Sequence, residues 1–386
     1  MPELPMCKRE ARPSLDKGSN SGLMFYKFVD LWTFKDGKYG LGDNKKDWVN
    51  IFARPHGRPD EVARATARVR KLAQASVPAG VTNEPKEFIS VSRFATGLGY
   101  EHGTENGFVW HHTLGVPYIP SSGIKGMIRA WADHWQGLGS LNGAEPETAE
   151  WFARIVELFG NYGPRARNEA DRQIDAPLRA PQMGRLIVFD ALPVNPVRCV
   201  AEVMTPHDGG WRAKGPVQMD GAPGVLLSPG DWHAPVPIPF LAVDEGQTFL
   251  FSLGLARGGT QQDLDDGYRL LEEALAWIGA GAKTATGFGR FMTADAIEVL
   301  RDTDIKNEQE REAARAAAEA EEFEAWMPKV GDILRQTEED RPGKILVEVV
   351  ELDGPDDIRV RHRDGTDTFW VEKAECAPHA TSWDEA

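Results

Sequence analysis

The sequence predicts an α+β fold divided into more than one domain. Apolar residues at helical spacing alternate with short β-branched and aromatic runs between Lys86 and Thr293, which indicates helices packed on a sheet. Short alternating runs around glycines occupy Val330–Ala377 and predict a separate group of strands. The length of 386 residues agrees with this division, since an average domain has roughly 150 residues.

The order of elements in the first part is typical of one fold. We predict, in order, a strand, a helix, several strands, a second helix and a final strand, which suggests the β-α-β-β-α-β order of a ferredoxin-like, RRM-like core with large insertions. Arg185–Ala191 and Val197–Met204 are expected to be sheet neighbours. In chain order the elements are the strand Lys86–Ala95, the helix after Pro120, the strands Arg185–Ala191, Val197–Met204, Phe240–Val243 and Thr248–Leu255, the helix Leu264–Ile278 and the strand Phe288–Thr293.

Composition shifts divide the chain into four predicted regions. An N-terminal arm and helical region covers residues 1–85, and the core covers 86–300. A charged, alanine-rich helical linker covers 301–328, with its helix predicted over Ile305–Met327. A small all-β barrel of SH3-like type covers 329–386.

The net charge of −15 is concentrated in the last part of the chain. From Arg301 onward there are 24 acidic and 12 basic residues, which leaves a net charge of only −3 for the first 300 residues. A body close to neutral can still carry a basic groove, so a nucleic-acid partner is not excluded.

The sequence also excludes several classes of protein. No apolar run approaches the roughly 20 residues that span a bilayer, and the N-terminus has no signal-peptide pattern, so we expect a cytoplasmic protein without membrane contact. The three cysteines are far apart and form no CxxC pair, which favours neither a disulfide framework nor a zinc site. We expect no cofactor.

The stretch YIPSSGIKGMIRAW, Tyr118–Trp131, predicts a strand that passes directly into a helix. Ser121 or Ser122 is expected to cap the helix, because a serine hydroxyl can accept from the free N–H groups of the first turn. Lys125 and Arg129, four residues apart, lie on one face. Two glycines reduce bulk beside N–H groups that favour an anion. The motif predicts a polyanion contact or, equally, an ordinary amphipathic helix with solvated cations.

A second motif, GAGAKTATGFGRF, occupies Gly279–Phe291. It differs from a P-loop, which needs a glycine directly before its lysine and a helix afterwards, whereas Ala282 precedes Lys283 and a strand is predicted to follow. We expect the loop to pack against a ribose-phosphate chain, with glycines that permit close approach and side chains that donate to phosphates. These residues are Gly281, Gly287, Gly289, Lys283, Thr284 and Arg290.

Two further basic segments are candidates for RNA contact. The segment Gly160–Gly184 lacks apolar periodicity but contains Arg165 and Arg167, so it predicts either an arginine-bearing finger on a phosphate backbone or a mobile insertion. A helix with one apolar and one basic side is predicted over Arg58–Ala75. We expect Val62, Val69 and Leu72, on the apolar side, to be buried. That basic side indicates a solvated face, or an RNA or partner contact. It consists of Arg64, Arg68, Arg70 and Lys71.

The histidines provide an enzymatic alternative. His111, His112 or His207 could act as the general base of a metal-independent endoribonuclease that processes RNA. A metal site is not expected, because adjacent residues of an extended segment point to opposite faces and nothing with ligand-like spacing accompanies them.

Five segments in this order resemble the RAMP superfamily of CRISPR-associated proteins and, within it, a subunit of the type III-B RNA-targeting effector. The similarity covers roughly Phe88–Thr293. The segments are Tyr118–Arg129, RLIVFDALP (Arg185–Pro193), EVMTPH (Glu202–His207), DWHAPVPIPFLAV (Asp231–Val243) and GAGAKTATGFGRF.

The resemblance implies a non-catalytic structural subunit of an antiviral complex. It implies a ferredoxin-like core that binds the CRISPR guide RNA near its 3′ end, close to target RNA, and that packs beside other RAMP subunits. By position, the family's helix motif falls on Ser121, Ser122, Lys125 and Arg129, and its loop falls on the glycine-rich motif. One departure is that the family's Pro-Gly-Ser-Ser is replaced here by Pro120-Ser121-Ser122-Gly123.

The predicted C-terminal barrel lies outside the resemblance. It could contact RNA through Arg359, Arg361 and Arg363, or dock a protein partner. Its acidic character favours the protein partner.

Overall fold

The structure is a computed structural model. It describes residues 19–29, 33–35, 38–40, 44–134, 148–161, 181–206, 217–218, 226–227, 235–325, 328–338, 341–354, 357–362, 367–372 and 376–380. Contacts between residues divide the chain into two compact units, Met1–Ile297 and Glu298–Ala386. Each unit is described by itself.

The helices of the first unit begin at residues suited to a helix start. The helix Pro59–Ala75 has a proline in its first turn, where no N–H partner is needed. The helix Gln261–Trp277 begins with a capping box, in which Thr260 and Asp263 each accept from the other's backbone N–H. The helices are α1 (Ser21–Lys27), α2 (Lys45–Ile51), α3 (Pro59–Ala75), α4 (Ser121–His134), α5 (Ala149–Phe159) and α6 (Gln261–Trp277).

The strands of the first unit are mostly short and form antiparallel pairs. They are β1 (Thr33–Lys35), β2 (Lys38–Gly40), β3 (Pro55–His56), β4 (Lys86–Ser90), β5 (Gly160–Asn161), β6 (Gln182–Met183), β7 (Leu186–Val188), β8 (Leu192–Pro193), β9 (Val197–Met204), β10 (Val217–Gln218), β11 (Leu226–Leu227), β12 (Ile238–Val243), β13 (Thr248–Phe251), β14 (Leu253–Leu255) and β15 (Phe291–Met292).

A four-stranded antiparallel sheet of order β15-β4-β13-β8 lies at the centre of this unit. The strands β12, β9 and β3 form a second sheet, and β14 pairs with β7. The α6 helix contacts α4, β14 and β15, so it covers the central elements. The mixed α+β class predicted from the sequence is therefore confirmed.

Aromatic side chains from distant segments form the core beneath these sheets. Phe94 lies 5.2 Å from Phe249 and 5.1 Å from Phe291 between ring centroids, and Phe88 lies 5.3 Å from Phe251. All five rings are fully buried, and edge-to-face pairs of this kind add to the free energy gained from burial. Their packing fixes β15, and with it the end of the glycine-rich motif, on the central sheet.

A buried ion-pair network joins α5 to α6. Arg154 of α5 donates to Asp266 at 2.9 Å and to Asp263, and both carboxylates belong to α6. Burial favours a raised pKa for Asp263, but the Thr260 N–H and the Arg154 guanidinium outweigh it and hold the pKa below its ordinary value. This network cannot be predicted from the sequence, because nothing local indicates which charges are buried together.

Two predictions for the first unit are wrong. Leu72 was expected to face inward, but its side chain is 52% exposed, whereas Val62 is buried. The segments at Arg185 and Val197 were expected to be sheet neighbours, but β7 pairs with β14, and β9 pairs with β12 and β3. Strand partners depend on the fold of the whole unit, so adjacency in sequence was a poor guide.

The second unit contains a long helix and an antiparallel sheet. The α7 helix (Ala294–Ala325) spans the boundary of the two units. It begins earlier than the predicted Ile305, because the Thr293 hydroxyl caps it by accepting from Ala296 N–H at 3.2 Å. The strands of the sheet are β16 (Ile333–Glu338), β17 (Arg341–Asp353), β18 (Asp357–His362), β19 (Thr368–Glu372) and β20 (Cys376–Ala380). Their order in the sheet is β19-β18-β17-β16-β20.

The sheet of the second unit has an apolar cluster of its own. It consists of Leu334, Val347, Val349, Ile358, Val360 and Val371, all of which are buried. Among the described residues of the whole chain, no helix is both long and apolar enough to cross a membrane.

Candidate nucleic-acid interface

The two motifs of the sequence analysis meet at one groove, which we call the motif groove. The first turn of α4 contributes one side and the glycine-rich motif contributes the other. The groove has a volume of about 370 Å³. It is lined by Thr96, Ile119, Pro120, Gly123, Met127, Ile278, Gly279, Gly281 and Thr284.

The start of α4 is capped differently from the prediction. The helix begins at Ser121, and the Pro120 carbonyl accepts from the N–H groups of Gly123 and Ile124 at 2.9 and 3.1 Å. Asp190, from the connection between β7 and β8, accepts from Ser121 N–H at 2.6 Å. The predicted serine cap is therefore wrong, because both serines lie inside the helix and a distant aspartate supplies the capping oxygen.

Lys125 and Arg129 lie on one face of α4, as predicted, and the protein already engages both. Lys125 Nζ donates to the Leu186 carbonyl at 3.1 Å, and burial lowers the pKa of Lys125, with a further lowering from Arg129. Arg129 donates to the Gly160 carbonyl at 2.7 Å and to Asp133 at 2.9 Å. Both cations therefore help to hold α4 against neighbouring segments.

The three glycines predicted to admit RNA differ in their surroundings. All have positive φ angles, of 91° at Gly281, 90° at Gly287 and 81° at Gly289. A Cβ atom at Gly281 would collide with the Ala95 carbonyl, and one at Gly289 would collide with the Ala280 carbonyl. A Cβ atom at Gly287 would meet no heavy atom of the described residues within 4 Å. The chain's own packing therefore requires two of these glycines, and only Gly287 faces open space.

Lys283 is held in a defined conformation at the edge of the glycine-rich motif. Its φ angle of 61° is unusual for a residue with a side chain, and its carbonyl accepts from Thr286 N–H at 3.0 Å at the end of a short 3-10 turn. Its Nζ lies 5.3 Å from the centroid of the Phe240 ring. This cation–π contact orients the ammonium group, whose N–H donors make no hydrogen bond to the residues that the structure describes and are available to a ligand.

Arg290 is anchored through its backbone at the end of the motif. Its N–H donates to Ser92 Oγ at 3.0 Å, and its carbonyl accepts from Val91 N–H at 3.0 Å. Burial lowers the pKa of Arg290, and its Nη1 is buried without a hydrogen-bond partner within the described parts of the chain. An unsatisfied buried donor is costly, so an acceptor oxygen of a ligand would stabilise this side chain.

The remaining candidates lie elsewhere. Arg165, Arg167 and His207 are outside the residues that the structure describes. His111 is near Tyr118, with ring centroids 5.7 Å apart, and does not line the motif groove, while the His112 carbonyl accepts from Asn20 at 2.7 Å. Across the described ranges, no cluster of three or more histidine, cysteine, aspartate or glutamate side chains could hold a metal ion.

Comparisons with known proteins agree with the location of these motifs. The family model of the RAMP superfamily matches residues 87–292. The Cmr6 subunit of the CRISPR system Cmr of Pyrococcus furiosus is 28% identical over 240 residues, which cover 53% of this chain and 66% of that protein. The chain therefore spans slightly less than two thirds of this relative.

Two solved structures are also similar. A chain of the cryo-EM structure of the Type III-B Cmr-beta bound to cognate target RNA is 18% identical, with a TM-score of 0.39, over 61% of this chain and 66% of that one. The crystal structure of Cmr6 from Pyrococcus furiosus is 24% identical, with a TM-score of 0.29, over 54% and 96%.

The family match extends from β4 to β15 and therefore includes both sides of the motif groove. It covers more than half of the chain. The chain belongs to the RAMP superfamily.

Proposed function

We propose that the chain is a non-catalytic, RNA-binding structural subunit of a type III-B CRISPR effector complex. It holds the guide RNA near its 3′ end, beside the target RNA, and packs against other RAMP subunits in the cytoplasm during antiviral defence. The relative from Pyrococcus furiosus is a subunit of such a system. The observation that carries the proposal is the motif groove, in which the two predicted RNA-binding motifs meet.

The chemistry of the motif groove suits a ribose-phosphate backbone. Gly123 lines the groove and Gly287 belongs to the glycine-rich motif, and a Cβ atom added at either would meet no heavy atom of the described residues within 4 Å, so a backbone can approach them closely. Thr284 supplies a hydroxyl in the lining, and Lys283 supplies a charge beside it. Contacts of this kind position a nucleic acid without reading its sequence.

The strand order of the central sheet supports a ferredoxin-like core. With β4, β8, β13 and β15 taken as the four strands, and α4 and α6 as the helices between them, the chain order is β-α-β-β-α-β. The observed sheet order β15-β4-β13-β8 places the first and third of these strands in the middle. We infer the ferredoxin-like class from this arrangement.

For the C-terminal sheet we infer an SH3-like barrel that docks a protein partner. Arg359 pairs with Glu351 and Arg361 pairs with Glu348, both at 2.9 Å. These pairs neutralise two of the three arginines that the sequence analysis proposed for RNA contact; Arg363 lies outside the described residues. A surface whose arginines are paired with glutamates favours the binding of a protein over the binding of a polyanion.

The test of the RNA-binding role uses the purified full-length chain and single-stranded repeat-derived RNA. Lys283→Gln should weaken binding and reduce the slope of log affinity against log salt concentration by about 0.7, the value for one phosphate contact on a single strand. Lys283→Arg keeps the charge and should retain the slope. Lys125→Gln should have the smaller effect, because the Leu186 carbonyl already engages its ammonium group.

Three results would overturn the proposal. If the wild-type chain and Lys283→Gln have the same RNA affinity and the same salt slope, the motif groove does not bind RNA. Cleavage of the RNA in metal-free buffer, lost in His111→Ala, would make the chain an endoribonuclease. Capture of the tagged chain from its host should also recover short repeat-spacer RNAs and RAMP subunits; a lone, RNA-free protein would contradict the role in a complex.

A further inference from the structure

We propose that a second groove, between α3 and the loop after Trp110, binds the phosphodiester backbone of RNA. We call it the α3 groove. This inference rests on the proposed RNA-binding function and adds a site that the two sequence motifs do not include. The groove has a volume of about 440 Å³. It is lined by Glu61, Arg64, Ala65, Arg68, Val69, His111, Thr113, Leu114 and Leu192.

Two arginines of α3 provide the positive charge of the α3 groove. Arg64 and Arg68 are exposed and four residues apart, so they lie on the same side of the helix, about 6 Å apart along its axis. Neither has an ion-pair partner within the described ranges. Arg70 on the same helix differs, because it pairs with Glu87 and donates to the Pro85 carbonyl at 3.1 Å. The helix thus keeps two guanidinium groups free where the groove lies.

The one acidic side chain known to line the α3 groove does not cancel this charge. Glu61 accepts from Arg58 at 2.9 Å, and Arg58 is not among the lining residues. The carboxylate is therefore neutralised from outside the groove. The lining carries a net positive charge, which favours an anionic ligand.

His111 contributes a neutral donor on the opposite side of the groove. Leu114 N–H lies 3.3 Å from His111 Nδ1 and donates to it, so the ring proton belongs on Nε2. Burial lowers the pKa of His111, an effect that His112 reinforces and Asp190 opposes, so the ring is neutral near pH 7. Its Nε2–H makes no hydrogen bond to the described residues and is available to a phosphate oxygen. Thr113, whose hydroxyl lies 3.2 Å from Nδ1, lines the groove beside it.

This combination fits an RNA backbone better than an acidic peptide. A guanidinium matches the geometry of phosphate oxygens and stays charged at every working pH. Val69, Leu114 and Leu192 form an apolar part of the lining, against which a ribose or a base can pack. Neutral donors and apolar surface beside two cations suit a ligand whose charge is spaced along a less polar chain.

The test compares variants of the full-length chain in RNA binding across a range of salt concentrations. The double variant Arg64→Gln/Arg68→Gln should bind single-stranded RNA at least about tenfold more weakly and reduce the salt slope by about 1.4, the value for two phosphate contacts. Lys71→Gln is the matched control, because Lys71 is an exposed cation on the same helix outside the groove. It should change the affinity less than about twofold.

A third variant separates hydrogen bonding from charge. His111→Phe keeps an aromatic ring beside Tyr118 but removes the Nε2–H donor. It should weaken RNA binding by about threefold and leave the salt slope unchanged, because a neutral donor releases no counterions. The melting curve of the double arginine variant should match that of the wild-type chain, since the substituted arginines have no ion-pair partner within the described residues. His111→Phe also removes the acceptor of Leu114 N–H, so its RNA affinity is compared at a temperature below the start of its own melting curve.

The outcomes distinguish this inference from the proposed function. If Lys283→Gln weakens RNA binding and the double variant does not, the α3 groove is not an RNA site and the proposed function stands. If the wild-type chain binds no RNA, both fail. If the double variant keeps full RNA affinity but loses binding to polyglutamate, the groove belongs to an acidic protein partner, which overturns the inference.

Discussion

Replacing Gly123 by alanine should stabilise the protein and weaken its binding of RNA. Gly123 lies in the first turn of α4 and lines the motif groove, and an added Cβ would meet no heavy atom of the protein within 4 Å. Alanine is favoured over glycine in a helix by up to about 1 kcal/mol, so the variant should gain about 0.5 kcal/mol in the free energy of unfolding. The added methyl group occupies the space where an RNA backbone would approach. A lost hydrogen bond of about 1 kcal/mol corresponds to roughly fivefold weaker binding.

The assay pairs urea denaturation with RNA affinity measured by fluorescence anisotropy. Gly126→Ala is the matched control, since Gly126 lies on the same helix, is equally open and does not line the motif groove. Both variants should be more stable than the wild-type chain, and only Gly123→Ala should bind RNA more weakly. Equal RNA affinity for the two variants would refute the assignment of the groove. A loss of stability in Gly123→Ala would refute the open space inferred around it.

Two further predictions concern the fold. Gly289→Ala should destabilise the protein by more than Gly287→Ala, because the Cβ atom at position 289 would collide with the Ala280 carbonyl. Gly287→Ala should cost only roughly 1 kcal/mol, which is the cost of a positive φ angle for a residue with a side chain. Equal urea midpoints for the two variants would contradict this prediction. His56 is buried, and burial is the main reason that its pKa is lowered from the ordinary 6.5 to about 4. The neutral ring therefore contributes its full stabilisation above pH 6.5, and this contribution is lost as the pH falls towards 4. The loss should reach about 3 kcal/mol in the wild-type chain and be smaller in His56→Gln. Identical dependence of the unfolding free energy on pH would disprove the role of His56.

Local signals in the sequence predicted much of the fold. The bounds of α5, Ala149–Phe159, follow from the local sequence, because its buried stripe repeats with helical period and Thr148 caps it with its own side chain. The α3 helix was predicted from its periodic valines for the same reason. The helix predicted over Ile305–Met327 begins earlier than expected, at Ala294, since a threonine cap is a weaker signal than a change in composition.

The candidate site was predicted in part. Both motifs were identified from their glycines and cations, and the structure brings them together at one groove. The capping residue of α4 was missed, because Asp190 is distant in sequence and reaches Ser121 only after β7 and β8 have formed. Its presence in the segment RLIVFDALP was the only signal, and that segment was interpreted as a strand.

The sequence by itself determined the element types, the family resemblance and the segments that contain the candidate residues, because these depend on neighbouring residues and their periodicity. Only the tertiary structure decided what each residue does. It showed that Lys125 is engaged by the Leu186 carbonyl, and that Gly281 is required by the Ala95 carbonyl while Gly287 faces open space. Those differences arise from backbone atoms far away in the chain, and the sequence around each residue contains no record of their approach.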